Sequence, residues 1–322
     1  MDLKQLEYIV AIAESKSVTE AAQKLFISQS GLNQQLMKLE KELGVQLFER
    51  GKRHFQITRA GEIYVQNARE ILKIRRNTYA LLNDIRQDLS GEINLGLTLE
   101  HGIDLFTAIY PEFHERYPNI RFNLLERHVY DQKKLIREGR LDSGVVMFKE
   151  QEKEDGLVYD TLLEEDLLLG IPLSHPYASY GGDPRDPLPY IDLKYFEKDS
   201  FSLIFASSTM REVIDPLFQK AGYSPRILME TGMNHALIQM VSKGFCCTIL
   251  PHSRALSNPL SKNCVWFRLL GDSRWKVYLA RRPDTEFGSA YAYFKELALS
   301  YGEVLMAQFH LEEKGEVVVP EG

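Results

Sequence analysis

Residues 18–44 read VTEAAQKLFISQSGLNQQLMKLEKELG, and they predict two short helices joined by a tight turn. Ser28 is suited to cap the second helix, because its hydroxyl can accept a backbone hydrogen bond. Gly44 is suited to end it, because glycine tolerates the left-handed conformation at a helix C-terminus. The apolar positions fall on one face of each helix: Ala21, Ala22, Leu25, Leu32, Leu36, Leu39 and Leu43. This pattern is typical of a helix-turn-helix, which indicates DNA binding.

The other face of the second helix is rich in amides and hydroxyls. The residues predicted to contact DNA there are Ser28, Gln29, Ser30, Asn33, Gln34 and Lys38. An asparagine or glutamine side chain can bind N6 and N7 of adenine with two hydrogen bonds. A polar face can also be merely solvated, but the crowding of amides in the first turns favours a recognition helix.

The segment after this helix predicts a β-wing. Two short apolar runs flank the basic stretch ERGKRHFQIT at 49–58. Arg50, Lys52 and Arg53 would then lie along phosphates, or one arginine would enter the minor groove.

These residues carry a family resemblance. The run AAQKLFISQSGLNQQLMKLEKELGVQLFERGKRHFQITRAGE at 21–62 resembles the winged helix-turn-helix of LysR-type transcriptional regulators. The resemblance implies an α/β protein overall: a winged helix-turn-helix at 1–58, a linker helix at 59–90 and a two-lobed, periplasmic-binding-protein-like effector domain at 91–310. Lobe one would comprise 91–161 and 267–310, and lobe two 162–266. Residues 311–322 are charged and short, which predicts a mobile tail.

The recognition helix departs from the family pattern. The family usually has proline, a small residue, serine and arginine where this chain has Ser30, Gly31, Asn33 and Gln34. An amide in place of arginine replaces a contact to guanine or phosphate with one that suits adenine. We therefore expect DNA binding, but not the usual operator sequence.

Charge is divided unevenly along the chain. The 322 residues have a net charge of −6, which is unexpected for a nucleic-acid-binding protein. Residues 1–90, however, hold 14 basic and 11 acidic side chains, whereas the remainder holds 25 and 34. The basic excess is therefore local, and the acidic remainder limits non-specific DNA contact.

The rest of the composition describes an ordinary globular chain. Cys246, Cys247 and Cys264 form neither a disulfide framework nor a spaced set of metal ligands, so we expect reduced thiols and no metal. A redox sensor is the alternative, although apolar neighbours favour buried, inert cysteines. Without a signal peptide or an 18-residue apolar stretch, the sequence predicts a cytoplasmic protein with no membrane partner.

Residues 59–89 predict one long helix with a heptad-like seam. The proposed seam residues are Tyr64, Ala68, Ile71, Arg75, Thr78, Leu82, Ile85 and Leu89, of which Ile71, Leu82, Ile85 and Leu89 are assigned to dimerisation. A core helix of the same chain would show the same stripe. The resemblance favours a homodimer or homotetramer, and a two-fold dimer requires an inverted-repeat operator in double-stranded DNA.

Beyond residue 90 strands alternate with helices, which predicts a mainly parallel α/β sheet. Ligands of open α/β sheets bind at the carboxyl ends of the strands. The effector-binding residues predicted by that rule are Thr98, Leu99, Glu100, Phe148, Ser202, Leu203, Ile204 and Thr231. Thr98 also matches the family position whose hydroxyl commonly contacts the effector. The sequence does not name this small molecule, and no other cofactor is expected.

Two other functions stay open at this point. The chain lacks the nucleophile-elbow, phosphate-loop and zinc-hydrolase motifs, so we expect no enzyme. A hydrolase-like set of scattered side chains is nevertheless an alternative. A DNA-bound oligomeric scaffold without a ligand is the other, and it would require a cleft filled by side chains.

Overall fold

The computed structural model describes residues 2–50, 55–85, 90–283, 288–309 and 316–320. Their contacts divide the chain into two compact units. The N-terminal unit consists mainly of residues up to Gly91, and the C-terminal unit mainly of residues from Glu92. No described helix combines the length and the apolar character needed to cross a membrane.

The N-terminal unit is a winged helix-turn-helix. Its elements are α1 Leu3–Ser15, α2 Val18–Lys24, α3 Gln29–Leu43, β1 Phe48–Arg50, β2 Phe55–Ile57 and α4 Arg59–Ile85. One apolar core joins them, formed by residues such as Ile9, Ile12, Ala21, Ala22, Leu32, Leu36, Leu39, Phe48 and Val65. Because the two alanines are small, α2 packs closely within this core.

The predicted caps of α3 are confirmed. The Ser28 hydroxyl accepts a hydrogen bond from Gly31 N at 3.1 Å, and Gly44 ends the helix with φ at 70°. The predicted stripe is one residue too long, because Leu43 is 43% exposed. Leu43 is the last residue of the helix, where the core no longer covers it.

The wing is attached to the helices by side-chain hydrogen bonds. Strands β1 and β2 pair antiparallel. Glu40 of α3 accepts hydrogen bonds from Leu47 N and Phe48 N at 2.8 and 3.2 Å. At Gly61 a Cβ atom would lie 2.0 Å from the Leu47 carbonyl oxygen, so only glycine lets α4 approach the wing this closely.

Helix α4 differs from the prediction in its buried face. Tyr64 and Ala68 were assigned to a dimer seam, but Tyr64 packs against the apolar core of its own unit, and Ala68 is buried in the single chain. Among the side chains of this helix that the structure describes, the large apolar ones that are exposed are Ile63, Ile74, Tyr79 and Leu82. Ile71 is half-buried, the side chain of Ile85 is not described, and Leu89 lies outside the described residues.

The C-terminal unit is an α/β structure with one long shared strand. Its strands are β3 Gly91–Leu97, β4 Ile120–Glu126, β5 Ser143–Phe148, β6 Val158–Pro172, β7 Tyr190–Ile191, β8 Ser200–Ile204, β9 Arg226–Thr231, β10 Thr248–Pro251, β11 Cys264–Leu269, β12 Arg274–Arg281 and β13 Val317–Val318. Its helices are α5 His101–Arg116, α6 Val129–Arg137, α7 Arg211–Ala221, α8 Asn234–Ser242, α9 His252–Ser257 and α10 Ser289–Met306.

Strand β6 connects two lobes. Its first half pairs with β12, and its second half pairs with β10 and β11. Lobe one contains β3, β4, β5 and β12, and lobe two contains β7 to β11 and β13. The prediction of a mainly parallel sheet was wrong, because the strands of this unit pair in a mixed way. The β6 pairings and the β5–β12 pairing are antiparallel, whereas β3–β5, β7–β11, β7–β13 and β8–β9 are parallel.

The C-terminal segment also differs from the prediction. Part of the expected mobile tail forms β13, which pairs in parallel with β7 in lobe two. Tyr190 N donates to the Glu316 carbonyl at 2.8 Å. Phe309 is fully buried against His252. Since α10 packs on α5 of lobe one, the chain passes from lobe one to lobe two once more after α10; residues 310–315 and 321–322 lie outside the described ones.

Candidate functional site

The polar face of α3 is available to a partner. Ser28, Gln29, Ser30, Gln34 and Lys38 are exposed, and Asn33 is half-buried. Ser28 also caps the helix, so its hydroxyl has a structural role. Of the three basic residues predicted in the wing, Arg50 is the last residue of β1, and its side chain is not described. Lys52 and Arg53 lie outside the described residues.

A second feature is a cavity of about 330 Å³ between the two lobes of the C-terminal unit. Its lining comes from the segments at which α5, α6, α7 and α8 begin. The apolar lining residues are Leu99, Val129, Met147, Ile204, Phe205, Met210 and Trp275. An enclosed apolar space with a few polar groups is typical of a small-molecule site.

Helix starts supply polar groups at this cavity. No N-cap side chain caps α5, α7 or α8. His101 N and Arg211 N bond carbonyl oxygens, and Met210 N bonds the Ser208 hydroxyl. The N–H groups of these first turns that lack such a partner can bind a ligand's acceptor atoms. Arg127 and His128 add exposed polar side chains at the same rim.

The structure brings some of the predicted effector residues together. Thr98, Leu99 and Ile204 line the cavity. Glu100 lies behind it, where its carboxylate accepts a hydrogen bond from Asn234. Thr231 is adjacent to the lining residue Gly232, but its hydroxyl accepts from Met233 N at 3.3 Å.

Three predicted residues lie in the core instead. The Phe148 ring is 1% exposed, stacks on Tyr278 and is covered by the ammonium of Lys133, 3.8 Å from the ring centroid. Leu203 and Ser202 are fully buried in β8. The strand-end rule locates the edge of a sheet, but it does not tell which side chains at that edge turn inward.

His101, at the start of α5, belongs to a buried network. Its Nε2 lies 3.2 Å from Glu165 Oε1 and 3.1 Å from the Ser253 hydroxyl. Glu165 also accepts hydrogen bonds from Ser253 N at 2.7 Å and from Trp275 Nε1 at 3.3 Å. Burial lowers the pKa of His101, and Arg254 lowers it further, against the opposing effect of Glu165. These effects together favour the neutral form of the imidazole.

The Glu165 carboxylate is charged in this network. Its burial alone would raise its pKa, but the hydrogen bonds from His101 and Ser253 outweigh burial and lower it. A neutral imidazole beside a charged carboxylate donates its Nε2–H, and the carboxylate accepts.

Hydrogen bonds cross between the lobes at the cavity. Asn234 Nδ2 donates to Glu100 Oε2 at 2.6 Å, and the Thr209 hydroxyl donates to the Met147 carbonyl at 2.8 Å. The Tyr130 hydroxyl donates to Glu212. Each pair joins one residue of lobe one to one of lobe two, so these bonds hold the lobes together beside the cavity and would break if the lobes opened.

The prediction missed much of the cavity lining. His101, Tyr130, Thr209, Asn234 and Trp275 all contribute to it. The first four lie within one residue or two of a helix start, so helix N-termini were the signal available in the sequence. Trp275 comes from β12, which the chain reaches only after lobe two, and no local pattern places it here.

One cluster has metal-ligand chemistry among the described residues. His175, Asp199 and Cys247 bring ligand atoms within 4.8 Å of one another. However, His175 Nδ1 accepts a hydrogen bond from Tyr177 N at 3.1 Å, so Nε2 carries the proton and lies 3.3 Å from Asp199 Oδ1. A protonated nitrogen has no lone pair for a metal. We therefore interpret the cluster as a partly buried hydrogen-bonded group.

The cysteines are buried. Cys246, Cys247 and Cys264 are each 5% exposed or less. Burial raises the pKa of all three thiols. Since the thiolate is the reactive form, this environment suppresses their chemistry at neutral pH.

Comparison with known proteins identifies both units. Residues 3–62 match the family described as "Bacterial regulatory helix-turn-helix protein, lysR family". Residues 86–302 match the "LysR substrate binding domain". The DNA-binding transcriptional dual regulator OxyR of Escherichia coli is 32% identical over 298 residues, which cover 92% of this chain and 94% of OxyR. The uncharacterized regulator YwbI of Bacillus subtilis is 32% identical over 251 residues, covering 78% and 80% of the two chains.

Solved structures show the same fold. Full-length OxyR from Pseudomonas aeruginosa aligns over 97% of this chain and 95% of its own, with a TM-score of 0.67 and 22% identity. CbnR in complex with its target DNA aligns over 92% and 99%, with a TM-score of 0.56 and 23% identity. The winged head, the linker helix and the two-lobed domain thus form one chain architecture, as the sequence predicted, and this chain belongs to the LysR family of DNA-binding transcriptional regulators with an effector-binding domain.

Proposed function

We propose that this regulator binds an inverted-repeat operator through the polar face of α3 and the wing, and that a small effector in the interlobe cavity modulates that binding. The main support for this proposal is that one chain contains both sites. The chain that presents an exposed amide-rich helix also contains a cavity between two lobes that are joined by hydrogen bonds. An effector that binds more tightly when the two lobes are hydrogen-bonded to each other would raise the population of that arrangement. We further propose that the protein acts in the cytoplasm and needs no other cofactor.

The DNA-binding face is tested by substitution in α3. Gln34→Ala should relax discrimination at one base pair by roughly 1–3 kcal/mol, because an amide reads a base edge. Lys38→Ala should weaken binding to all sequences and reduce its salt dependence. Lys4→Ala removes the same charge from α1, which is outside the predicted face, and serves as the matched control. If Gln34→Ala and Lys38→Ala keep the same operator affinity and footprint as Lys4→Ala, this face of α3 does not contact DNA.

Effector binding is tested by thermal shift with a metabolite panel, followed by operator binding with each compound that stabilises the protein. A compound that occupies the cavity raises the melting temperature by mass action. A bulky residue at Thr98, such as Thr98→Trp, should abolish that response and leave operator binding intact. Loss of both would show instead that Thr98 is needed for folding. A panel that never changes operator binding would favour the scaffold alternative.

The OxyR relatives suggest a second possible signal. Some are described as hydrogen peroxide-inducible genes activators, and peroxide reacts with exposed thiolates. In this chain all three thiols are buried with raised pKa values. We therefore propose a bound small molecule, rather than thiol oxidation, as the signal.

A further inference from the structure

The cavity contains two side chains whose hydrogen-bonding roles are set by carboxylates behind them. His101 and Asn234 are 7% and 5% exposed, and both line the cavity. His101 Nε2 lies 3.2 Å from Glu165 Oε1, and Asn234 Nδ2 lies 2.6 Å from Glu100 Oε2. A carboxylate accepts hydrogen bonds and does not donate them. The nitrogen facing each carboxylate is therefore the donor. The remaining oxygen of Asn234 is an acceptor, and so is Nδ1 of His101 in the neutral form of the ring, which burial favours.

Both acceptors lack a partner within the described chain. Asn234 Oδ1 is buried without a hydrogen bond. The hydrogen bonds of His101 are made by Nε2, to Glu165 and Ser253, so Nδ1 has none among the described residues. Rotation of the Asn234 amide would turn its oxygen toward the Glu100 carboxylate, and a flip of the His101 ring would put Cε1 in place of the Nε2 that bonds Glu165. Buried acceptors are rarely left unpaired, since an unpaired group loses its hydration without compensation.

We propose that the effector presents hydrogen-bond donors, either hydroxyl or amino groups, to His101 Nδ1 and Asn234 Oδ1. This inference rests on the effector role proposed for the cavity and adds the chemical class of its ligand. The body of the ligand is apolar, because Trp275, Met147 and Ile204 line the same space.

The two buried acceptors distinguish this floor of the cavity from its rim. A carboxylate or phosphate on the floor would place its acceptor oxygens against these two acceptors, so no hydrogen bond would form and the lone pairs would repel. At the rim, Arg127 is exposed and helix N-termini supply free N–H groups, so an acceptor group belongs there. The effector is thus a compound whose buried end carries donors, not an acid inserted with its charged group first.

The tautomer of His101 provides a test that needs no ligand. Nitrogen NMR of the full-length protein with labelled histidine should show a neutral ring at pH 7 with the proton on Nε2 and a bare Nδ1. His101→Gln identifies the signal. A proton on Nδ1, or a charged ring, would overturn the proposal.

Matched probes test the ligand class. The three benzenediols carry two donors at three spacings, their dimethyl ethers block both donors, and benzoate carries a charged acceptor. In calorimetric titration of the full-length protein, we expect at least one diol to bind and its ether to bind at least about tenfold more weakly, because the ether cannot donate to the buried acceptors. His101→Phe and Asn234→Leu should each weaken the diol to a similar extent. Ser257→Ala, at an exposed position outside the cavity lining, should retain affinity within about twofold.

The outcomes separate this inference from the proposed function. Ethers or benzoate that bind as well as the diols would overturn the donor assignment. If acids from the metabolite panel also change operator binding, the proposed function stands while the donor assignment falls. If no probe binds, the donor assignment falls, and if the metabolite panel is silent as well, the effector function falls with it. The affinities of the diols, the ethers and benzoate are compared on the unaltered protein, so a variant that fails to fold does not affect this comparison.

Discussion

At the scale of single residues, partners rather than residue type decide what each side chain does. Ser28 was predicted to cap a helix and does so. Phe148 was predicted to contact a ligand but is covered by Lys133 and Tyr278. The difference is physical: a cap depends on residues within one turn, whereas the covering of Phe148 depends on chain segments far apart in sequence. Local chemistry is therefore predictable, and side-chain orientation at a strand end is not.

Phe26 stores strain in the turn between α2 and α3. Its φ is 54°, a conformation that bulky residues avoid. Its ring is 95% exposed, so little packing is lost if it is removed. Phe26→Gly should raise the free energy of unfolding of the head by roughly 1 kcal/mol, measured by urea denaturation. Phe26→Ala is the control, because alanine removes the ring but keeps most of the strain. An equal gain in both variants would assign the effect to the ring.

The three thiols should be inert in the folded protein. Burial raises their pKa values, so their thiolate forms are scarce at pH 7 and gain population only as the pH rises. We expect an aromatic disulfide reagent to modify native protein far more slowly than protein in urea, in which all three should react. Rapid modification of one cysteine in the native state would contradict this and would reopen the redox alternative.

At the scale of elements, the long linker helix shows the limit of periodicity. The heptad pattern correctly predicts an amphipathic helix, but it assigned Tyr64 and Ala68 to a partner although Tyr64 packs against the core of its own unit and Ala68 is already buried in the single chain. An apolar stripe indicates that one face of a helix is buried, but it does not indicate which segment or partner chain buries it. In α4 the exposed apolar side chains include Ile74, at 63%, and Leu82. We predict that these exposed residues contact the second copy.

Charge on this exposed stripe should weaken the dimer. Ile74→Asp or Leu82→Asp loses about 1.5–3 kcal/mol of apolar burial per side chain, and a two-fold interface counts each change twice. Sedimentation should therefore show a dissociation constant raised by roughly 100-fold or more. Gln66→Asp, an exposed polar position of the same helix, should leave association unchanged. Dimers of unaltered affinity would place the interface elsewhere.

At the scale of the whole molecule, the order of the domains could be predicted from the sequence, but the pairings between distant strands could not. The alternation of strands and helices correctly predicts an α/β domain. The antiparallel pairings of β6, and the arrival of Trp275 at the cavity, depend on contacts between segments about a hundred residues apart in sequence. Local periodicity carries no information on such pairings. The cavity region was thus predictable from strand ends, while its His101 and Asn234 acceptors were not.

The C-terminal strand should stabilise lobe two, although its short charged segment predicted a mobile tail. Val317–Val318 pair with β7, and Pro320 is buried. Removal of residues 316–322 deletes these pairings and leaves β7 as an open sheet edge. With roughly 1 kcal/mol for each backbone hydrogen bond, we expect a loss of about 2 kcal/mol and a lower melting temperature. Removal of residues 321–322 alone retains β13 and is the control. If both truncations melt like the full chain, β13 contributes nothing to stability; if only the longer one is destabilised, this segment is an integral strand of the effector domain.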